Sequence, residues 1–474
     1  MSSRLVLVNP PFQARIRRIA QTSLGPPLGL AYVAAAAREA GHDVAIVDAN
    51  ALGYDLDQAA RAALDLRPDV LGLTAVTPTV PLAGQIAAHA KAARPDLPVL
   101  LGGPHGTALP ERTLAEFPAL DAIVRGEAEA TIAPLLARLG AGAGLVAPLT
   151  GVAFRGPDGG VIDGGVATPI ADLDTLPLPA RDLLPMERYR CPDSDAFTTV
   201  LAMRGCPYPC VYCAVPFTSG KRMRYRSPEA VADEMDRATR DWGVRFFSFV
   251  DDTFTTRSEW VLQFADAVEA RGLHRRARWI CLTRADLVDR PLLARMKAAG
   301  CVRVEMGIES GSEAGMRFLG KRLAPEAVGK AFRAARAVGL STMGFVILNV
   351  PGEGPADVAR TLALALEADP DYLQLSFLTP YPGTLLWDEA RKNGWIRTED
   401  WAEYRFLNAA VLSPDGRPEA EVTAEGARFQ RAFYLRPRTV VKLGRLLLNG
   451  TSEWRPLLRT ALTGLGAAFR RSEG

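Results

Sequence analysis

The sequence predicts an α/β protein: two successive parallel-sheet domains, then a small, mostly helical C-terminal region. Three observations predict it. Short apolar runs alternate with helical patterns from the N-terminus onward, as expected of strands buried on both faces of a parallel sheet. The alternation falls into two series, separated by a Pro- and Gly-rich stretch. The chain has 474 residues, which suits more than one domain.

In the first series LVLVNP (5–10), VAIVDA (44–49), VLGLTAV (70–76), VLLGG (99–103) and AIVRGE (122–127) read as strands. LGLAYVAAAAREAG (28–41) reads as a helix stopped by Gly41, and helical stretches fill 55–66 and 80–94. Five such units predict a doubly wound, flavodoxin-like (Rossmann-type) domain over residues 1–145, with ligands bound beyond the carboxyl ends of its strands. Residues 146–195 read as a linker, with GPDGGVIDGG as a tight hairpin turn and TLPLPARDLLP extended. The second series has strands at 197–203, 246–250, 277–283, 301–306, 342–348 and 372–377. Helices fit between them, for example 227–243, capped by Ser227 and stopped by Gly243. Six β/α units over 196–390 predict a partial (β/α)6 barrel, since eight would close it. Residues 391–474 form the helical C-terminal region.

Composition is that of an ordinary globular protein, 48% hydrophobic and 23% charged. A net charge of +3 gives no nucleic-acid footprint. No leader or membrane-length apolar run is visible, and six scattered cysteines make no disulfide framework, so a cytoplasmic setting is expected. The charge is uneven. Residues 431–474 carry nine Lys/Arg and two Asp/Glu, a net of +7, and the rest of the chain carries −4. The run YLRPRTVVKLGRLLL in that tail mixes apolar and basic residues at helical spacing. It reads as a helix packed over the barrel mouth, as a solvated basic face, or as a sign of peripheral membrane contact or a lipid-like substrate.

Half of the cysteines lie in RGCPYPCVYC (204–213): Cys206, Cys210 and Cys213. They follow the first strand of the second series, at the end of a barrel where active sites form. Thiolates bind soft metals and iron–sulfur clusters. A structural zinc site would need Cys191, Cys281 or Cys301 as a fourth ligand, and no second cysteine pair exists. Cys281 and Cys301 lie in strand patterns and read as core thiols; Cys191 has no assigned role.

The spacing Cys206-x3-Cys210-x2-Cys213, with Tyr212 before the last cysteine, resembles the signature of the radical S-adenosylmethionine (SAM) superfamily. The resemblance implies that the three cysteines hold a [4Fe–4S] cluster whose fourth iron binds SAM. Electron donation then breaks a C–S bond of SAM and gives a 5′-deoxyadenosyl radical. By the same resemblance Asp251 and Asp252 in VDDTFT lie near the SAM amino group, and Glu309 in MGIESGS contacts its ribose. Tyr212 contacts the adenine or only packs, Arg284 lies on the cofactor side, and Gln374, on the sixth strand, is a cofactor-side candidate if it points inward rather than outward. Gly352 in NVPGE allows close backbone approach. A low-potential donor, ferredoxin or flavodoxin, is implied as electron source.

A barrel of this kind after a flavodoxin-like domain resembles the cobalamin-binding branch of that superfamily, and the resemblance spans nearly the whole chain. It rests on NPP (9–11), PPLGLAYVAAAAREAGHDV (26–44), PDVLGLTAVTPT (68–79), PVLLGGPHGT (98–107) and RGEAEAT (125–131). It implies that Asn9, Pro10, Thr74, Thr77, Gly102, Gly103, His105, Gly126 and Glu127 lie on the cobalamin side. The chain departs from the D-x-H-x-x-G pattern after the first strand, where Asn9-Pro10-Pro11-Phe12 offers no imidazole. His105 follows the fourth strand instead and reads as a loop residue near the ligand. The implied activity is cobalamin-dependent radical SAM methylation of an unactivated carbon in a small-molecule or lipid-like substrate. One alternative is non-methylating oxidation, cyclisation or rearrangement, as in the anaerobic magnesium-protoporphyrin monomethyl ester oxidative cyclase family. The other is a non-catalytic corrinoid and iron–sulfur carrier.

Overall fold

The computed structural model describes residues 2–12, 23–140, 145–407, 409 and 411–439. Seven strands make the first sheet: β1 (Arg4–Asn9), β2 (Asp43–Asp48), β3 (Val70–Thr74), β4 (Val99–Gly102), β5 (Ala122–Val124), β6 (Val152–Arg155) and β7 (Val161–Asp163). Their order is β2-β1-β3-β4-β5-β6-β7. The first five are parallel, with the reversal of strand order at β1/β3 that marks a doubly wound sheet. Helices Leu28–Glu39, Leu56–Asp65, Val80–Ala93 and Glu129–Gly140 form between them. Leu56–Asp65 starts on a capping box of Asp55 with Gln58.

β6 and β7 form the hairpin expected from GPDGGVIDGG, but the hairpin pairs antiparallel onto β5. The first sheet therefore continues beyond residue 145, into the stretch read as linker. A turn signal marks a hairpin. Which sheet edge accepts such short strands depends on the free backbone groups of β5, and no local pattern reports those.

The second sheet contains β8 (Phe197–Val200), β11 (Phe246–Phe249), β12 (Arg278–Thr283), β13 (Cys301–Glu309), β14 (Ser341–Leu348) and β15 (Tyr372–Phe377). All six are parallel, in the order β15-β14-β13-β12-β11-β8. Each strand lies beside its successor and the ends stay open, which gives the partial barrel. After β8 the chain makes an antiparallel pair, β9 (Met203–Arg204) with β10 (Arg224–Tyr225), and the cysteine loop lies between the two. β13 runs further than expected, to Glu309, and its register on β14 shifts between Gly307 and Glu309.

Strand alternation sorts the two faces of this sheet. Leu375 and Phe377 meet Gly426 of the helix Glu419–Tyr434, and the Tyr434 hydroxyl bonds the Leu373 backbone. Gln374 and Ser376 therefore lie on the inner face. Trp279 packs outward on Phe249, Phe254 and Phe264, which turns Leu282 inward. Ser248, Leu282, Met343, Phe345, Gln374 and Ser376 are all half-buried, so the inner face is an open concavity. Beyond the helix Leu385–Lys392, the long helix of the described C-terminal region is Glu419–Tyr434; the chain between them holds a short turn at Trp401–Glu403. Most of the basic tail lies outside the described residues. No described helix is long and apolar enough to cross a membrane.

A seam of buried charges joins the domains. Glu127, in the loop after β5, accepts from Arg224 at 2.9 Å and from the Ile170 N–H at 2.9 Å, and pairs with Arg204 at 3.2 Å. Glu129 pairs with Arg204 as well. Glu234 takes Arg181 at 2.8 Å and also Arg226, and Arg226 reaches the Tyr32 hydroxyl of the first domain at 3.4 Å. Burial alone would raise the Glu127 pKa; the Arg224 and Arg204 guanidinium groups outweigh it and hold the carboxylate below its ordinary range. Glu127, expected on the cobalamin side, is thus turned toward the second domain. Glu127→Ala would leave Arg224 buried with carbonyl partners only. A loss of about 3–5 kcal/mol in unfolding free energy is expected, read from urea titrations; a loss below about 1 kcal/mol would mean that water solvates the seam.

Candidate active site

The cysteine loop is fixed at both ends. Gly205 has φ +90°, and a Cβ there would collide with the Arg222 carbonyl, so only glycine lets β9 turn into the loop beside the strand that closes it. The Cys206 N–H donates to Gly220 O at 3.2 Å, and the Cys213 N–H to Cys210 O at 3.2 Å. The middle of the loop is stitched to two other segments, through Val211 N–H to Leu319 O (3.1 Å) and Leu386 N–H to Val211 O (2.9 Å). Gly320, at φ +68°, packs against the Pro209 carbonyl.

All three thiols are free. Cys206 is buried, with Sγ 3.7 Å from Thr253 Oγ1. Burial raises the Cys210 thiol and pushes Cys213 up to about 12, and neighbouring thiols add to both. Thiolates at Cys210 and Cys213 therefore need a strongly positive group beside them, the chemistry a metal centre supplies. Among the described residues no three His, Cys, Asp or Glu side chains converge on a single ion. Cluster ligands need no such convergence, because each thiolate binds a different iron. Among the described residues the zinc alternative finds no fourth ligand. Cys281 and Cys301 are buried in the barrel core, and Cys191 is buried with its thiol pushed up to about 11.

Of the residues expected on the SAM side, several gather around this loop. Asp252 is half-buried, raised to about 6 by burial, and close enough to raise Cys213. Arg284 is buried, forked onto Asp286 at 3.0 and 2.8 Å, with its guanidinium 3.8 Å from the centre of the Tyr208 ring. Glu309 is buried at φ +61°, a left-handed conformation that costs a non-glycine residue energy. The Tyr212 hydroxyl donates to its Oε1 at 3.3 Å, and burial drives the Tyr212 pKa well up. Gln374 is on the inner face, two strands from Glu309. Asp251 is different. It is buried, and its Oδ1 accepts the N–H groups of Ala202 (2.8 Å) and Met203 (2.6 Å), with burial pushing its pKa to about 8. It braces the root of the cysteine loop rather than facing the open site. Gly352 has φ +77°, and a Cβ there would meet nothing within 4 Å. It serves the turn, and no backbone approaches it.

The cobalamin-side expectations divide further. Thr74 and Gly102 remain half-buried at the ends of β3 and β4. Asn9 donates to Asp48 at 2.9 Å, and the Pro10 carbonyl accepts from Asn50 at 2.9 Å, so both lock β1 to β2. Asp48 is fully buried and also accepts from Tyr189 at 2.8 Å. Gly103, at φ +104°, lets β4 pass the Ala75 backbone, and Gly126, at φ +82°, packs on Val166. Both serve close packing within the chain itself. His105 sits on the one-turn helix Pro104–Ala108, 1% exposed, with Nδ1 3.3 Å from Thr77 Oγ1. Its ring stacks edge-on against Trp401 at 4.8 Å, and Nε2 has no hydrogen-bond partner. It is a buried residue under a C-terminal aromatic cap, not an open loop residue. A Cβ on Gly383 would fall 2.9 Å from the Ala108 methyl of the same helix and 3.0 Å from the Phe217 ring of the cysteine loop, so the carboxyl end of β4 lies against that loop.

Sequence reasoning missed three side chains here. Lys321 is buried and its Nζ donates to Glu309 Oε1. Arg204, beside Cys206, bridges to Glu129. Glu353 is buried, bonded by Ser310, and raised to about 6. A lysine or arginine beside a motif looks like any surface cation, and nothing local signals its burial.

Burial lowers the His105 pKa from 6.5 to about 4. Between those values the unfolded chain takes up a proton that the folded chain excludes, so stability falls as pH drops through this window, by about 3 kcal/mol when complete. His105→Phe should remove that component from the pH dependence of unfolding. Parallel curves for the two proteins would show that the ring is solvated.

Residues 15–136 match the B12-binding domain family and residues 200–365 the radical SAM superfamily. The chain is 34% identical over 93% of its length to an uncharacterized methyltransferase of Pyrococcus horikoshii, covering 94% of that protein. It is 28% identical to the anaerobic magnesium-protoporphyrin IX monomethyl ester cyclase of Rubrivivax gelatinosus, over 91% of this chain and 77% of that one. The fold superposes on the radical SAM methyltransferase TsrM of Kitasatospora setae, solved with cobalamin and a [4Fe–4S] cluster, with a TM-score of 0.74, 18% identity, and coverage of 99% and 100% of the two chains. A first sheet of doubly wound order, a six-stranded open barrel with a three-cysteine loop, and a full-length relative above 30% identity agree: the chain belongs to the cobalamin-dependent radical SAM enzymes, the methyltransferase family.

Proposed function

We propose that the enzyme methylates an unactivated carbon of a small-molecule substrate held in the barrel concavity. One observation carries this reading: a loop with three cysteines and no fourth opens at the carboxyl end of the barrel, against the strand ends of the first domain. The cluster with SAM supplies a carbon radical that takes hydrogen from the substrate, and cobalamin supplies the methyl group.

In this reading Cys206, Cys210 and Cys213 are the cluster ligands. Asp252, Glu309, Arg284, Tyr212 and Gln374 line the SAM side, and Asp251 acts indirectly by holding the loop root. Thr74 and Gly102 lie on the cobalamin side, with Asn9, Pro10, Gly103, Gly126, Thr77 and His105 shaping the strand ends behind them. The substrate would meet a wall of Val250, Leu282, Met343 and Phe345, apolar side chains left open on the inner face. Such a wall suits an apolar surface on the substrate and keeps water from a radical. The domains divide the work: the first presents cobalamin, the second holds cluster and SAM, and the C-terminal segment closes over both. A low-potential ferredoxin or flavodoxin would deliver the electron.

The test is anaerobic. The full chain is reconstituted with iron, sulfide and cobalamin, then given methyl-labelled SAM and reductant. Wild-type protein is expected to form 5′-deoxyadenosine and S-adenosylhomocysteine, and Cys206→Ala is expected to form no deoxyadenosine above background. Deoxyadenosine without homocysteine product would favour a cyclase-like outcome. A loaded cluster that leaves SAM intact, with candidate substrates present, would sink the enzymatic reading in favour of a carrier.

A further inference from the structure

Glu309 and Lys321 form a buried ion pair whose place in the fold is unusual. Glu309 ends β13 in a left-handed conformation, just past the register shift. Its Oε1 accepts from two donors at once, Lys321 Nζ and the Tyr212 hydroxyl. Tyr212 is the neighbour of Cys213 in the chain. Lys321 follows Gly320, whose left-handed turn lets this segment pack on the carbonyl of Pro209, next to Cys210. Room for the pair comes from Gly307: a Cβ there would fall on Glu309 Oε1 and lie 2.8 Å from Lys321 Nζ. A Cβ on Gly320, the residue before Lys321, would lie 3.5 Å from the Cys210 Cα, so the lysine segment runs alongside that cysteine.

A buried lysine is retained against its desolvation penalty only where its charge is compensated. Here the partner carboxylate is the one placed at the cofactor end of the barrel, and the pair abuts the loop that carries the thiolates. We propose that Lys321 is a positioning residue of this site: its ammonium fixes the Glu309 carboxylate in its strained setting and sets the local charge beside Cys210. The inference rests on the reading of the cysteine loop as a cluster site.

The charge arrangement gives the two halves of the pair opposite electrostatic effects. A nearby cation favours the reduced, more negative cluster, and a nearby anion disfavours it. Lys321→Met removes a cation and leaves Glu309 unbalanced, so the midpoint potential should fall. Glu309→Gln removes an anion and leaves Lys321 unbalanced, so the potential should rise. Lys321→Arg keeps the charge and should stay near the wild type. The measurement is an anaerobic redox titration of the reconstituted full chain, followed by electron paramagnetic resonance of the reduced cluster. SAM affinity is read from the change in the same signal. It should weaken roughly tenfold in Lys321→Met and largely recover in Lys321→Arg.

The double variant Lys321→Met/Glu309→Gln leaves no unpaired buried charge, so it retains the fold should Lys321→Met fail to hold a cluster. Its potential should return toward the wild type while its SAM affinity stays low. Shifts of the two single variants in the same direction, or a double variant with wild-type SAM affinity, would overturn the inference. A wild-type chain that takes up no cluster would overturn the reading of the cysteine loop, and this inference with it. A wild-type cluster that responds to SAM beside an unmoved Lys321→Met cluster would remove only the role of Lys321.

Discussion

The buried seam of Glu127, Glu129 and Glu234 with Arg204, Arg224, Arg226 and Arg181 is the constraint on which the site depends. Arg204 closes β9 and Arg224 opens β10, the two strands that frame the cysteine loop. Both guanidinium groups are held by carboxylates of the other domain, Glu127 in the loop after β5 and, for Arg204, also Glu129 at the start of the helix Glu129–Gly140. The position of the thiols is therefore set from outside the barrel. Taking so many charges out of water contributes little net stability, because desolvation offsets most of the attraction. What it contributes is a fixed register: an apolar interface tolerates sliding, whereas a forked guanidinium–carboxylate pair accepts one geometry.

That register matters because the chemistry spans two domains. The helix Pro104–Ala108, on the end of β4, lies against the cysteine loop, and Ala108 and Phe217 both flank Gly383. Trp401 covers His105 from above while its indole N–H donates to Glu116 at 2.6 Å, and Arg112 stacks on the same ring at 4.3 Å. The C-terminal segment thereby ties the first domain to the end of the chain. Two groups on two domains can act on one carbon only when their separation is held this way, since a misplacement of about 1 Å can cost a hundredfold in rate.

Inside the barrel the same economy of glycine recurs. Gly307 makes room for the Glu309–Lys321 pair, and Gly315 makes room for Glu353, which Ser310 bonds. Each glycine lies where a buried carboxylate approaches backbone. Leu282, Met343 and Phe345 stay half-buried on the inner face of the same sheet.

The sequence by itself determined the order of the elements, because periodicity and caps are local: all six barrel strands fall where apolar runs placed them, as do Ser227 and Gly243 at the ends of their helix. It also determined the three-thiol loop, because the spacing of Cys206, Cys210 and Cys213 is itself local. The tertiary structure decided what each polar side chain faces. Asp251 and Asp252 are neighbours in the chain, yet one braces backbone and the other faces the loop. Glu127, Asn9 and Thr77 turn into the protein, and Lys321 turns toward Glu309. The β6–β7 hairpin joins the first sheet for the same reason. Backbone pattern is written in a few adjacent residues, whereas the partner of a buried charge is chosen by the fold, 8 positions away for Arg226 and Glu234 but 97 for Arg224 and Glu127, because desolvation drives each buried charge toward a counterpart.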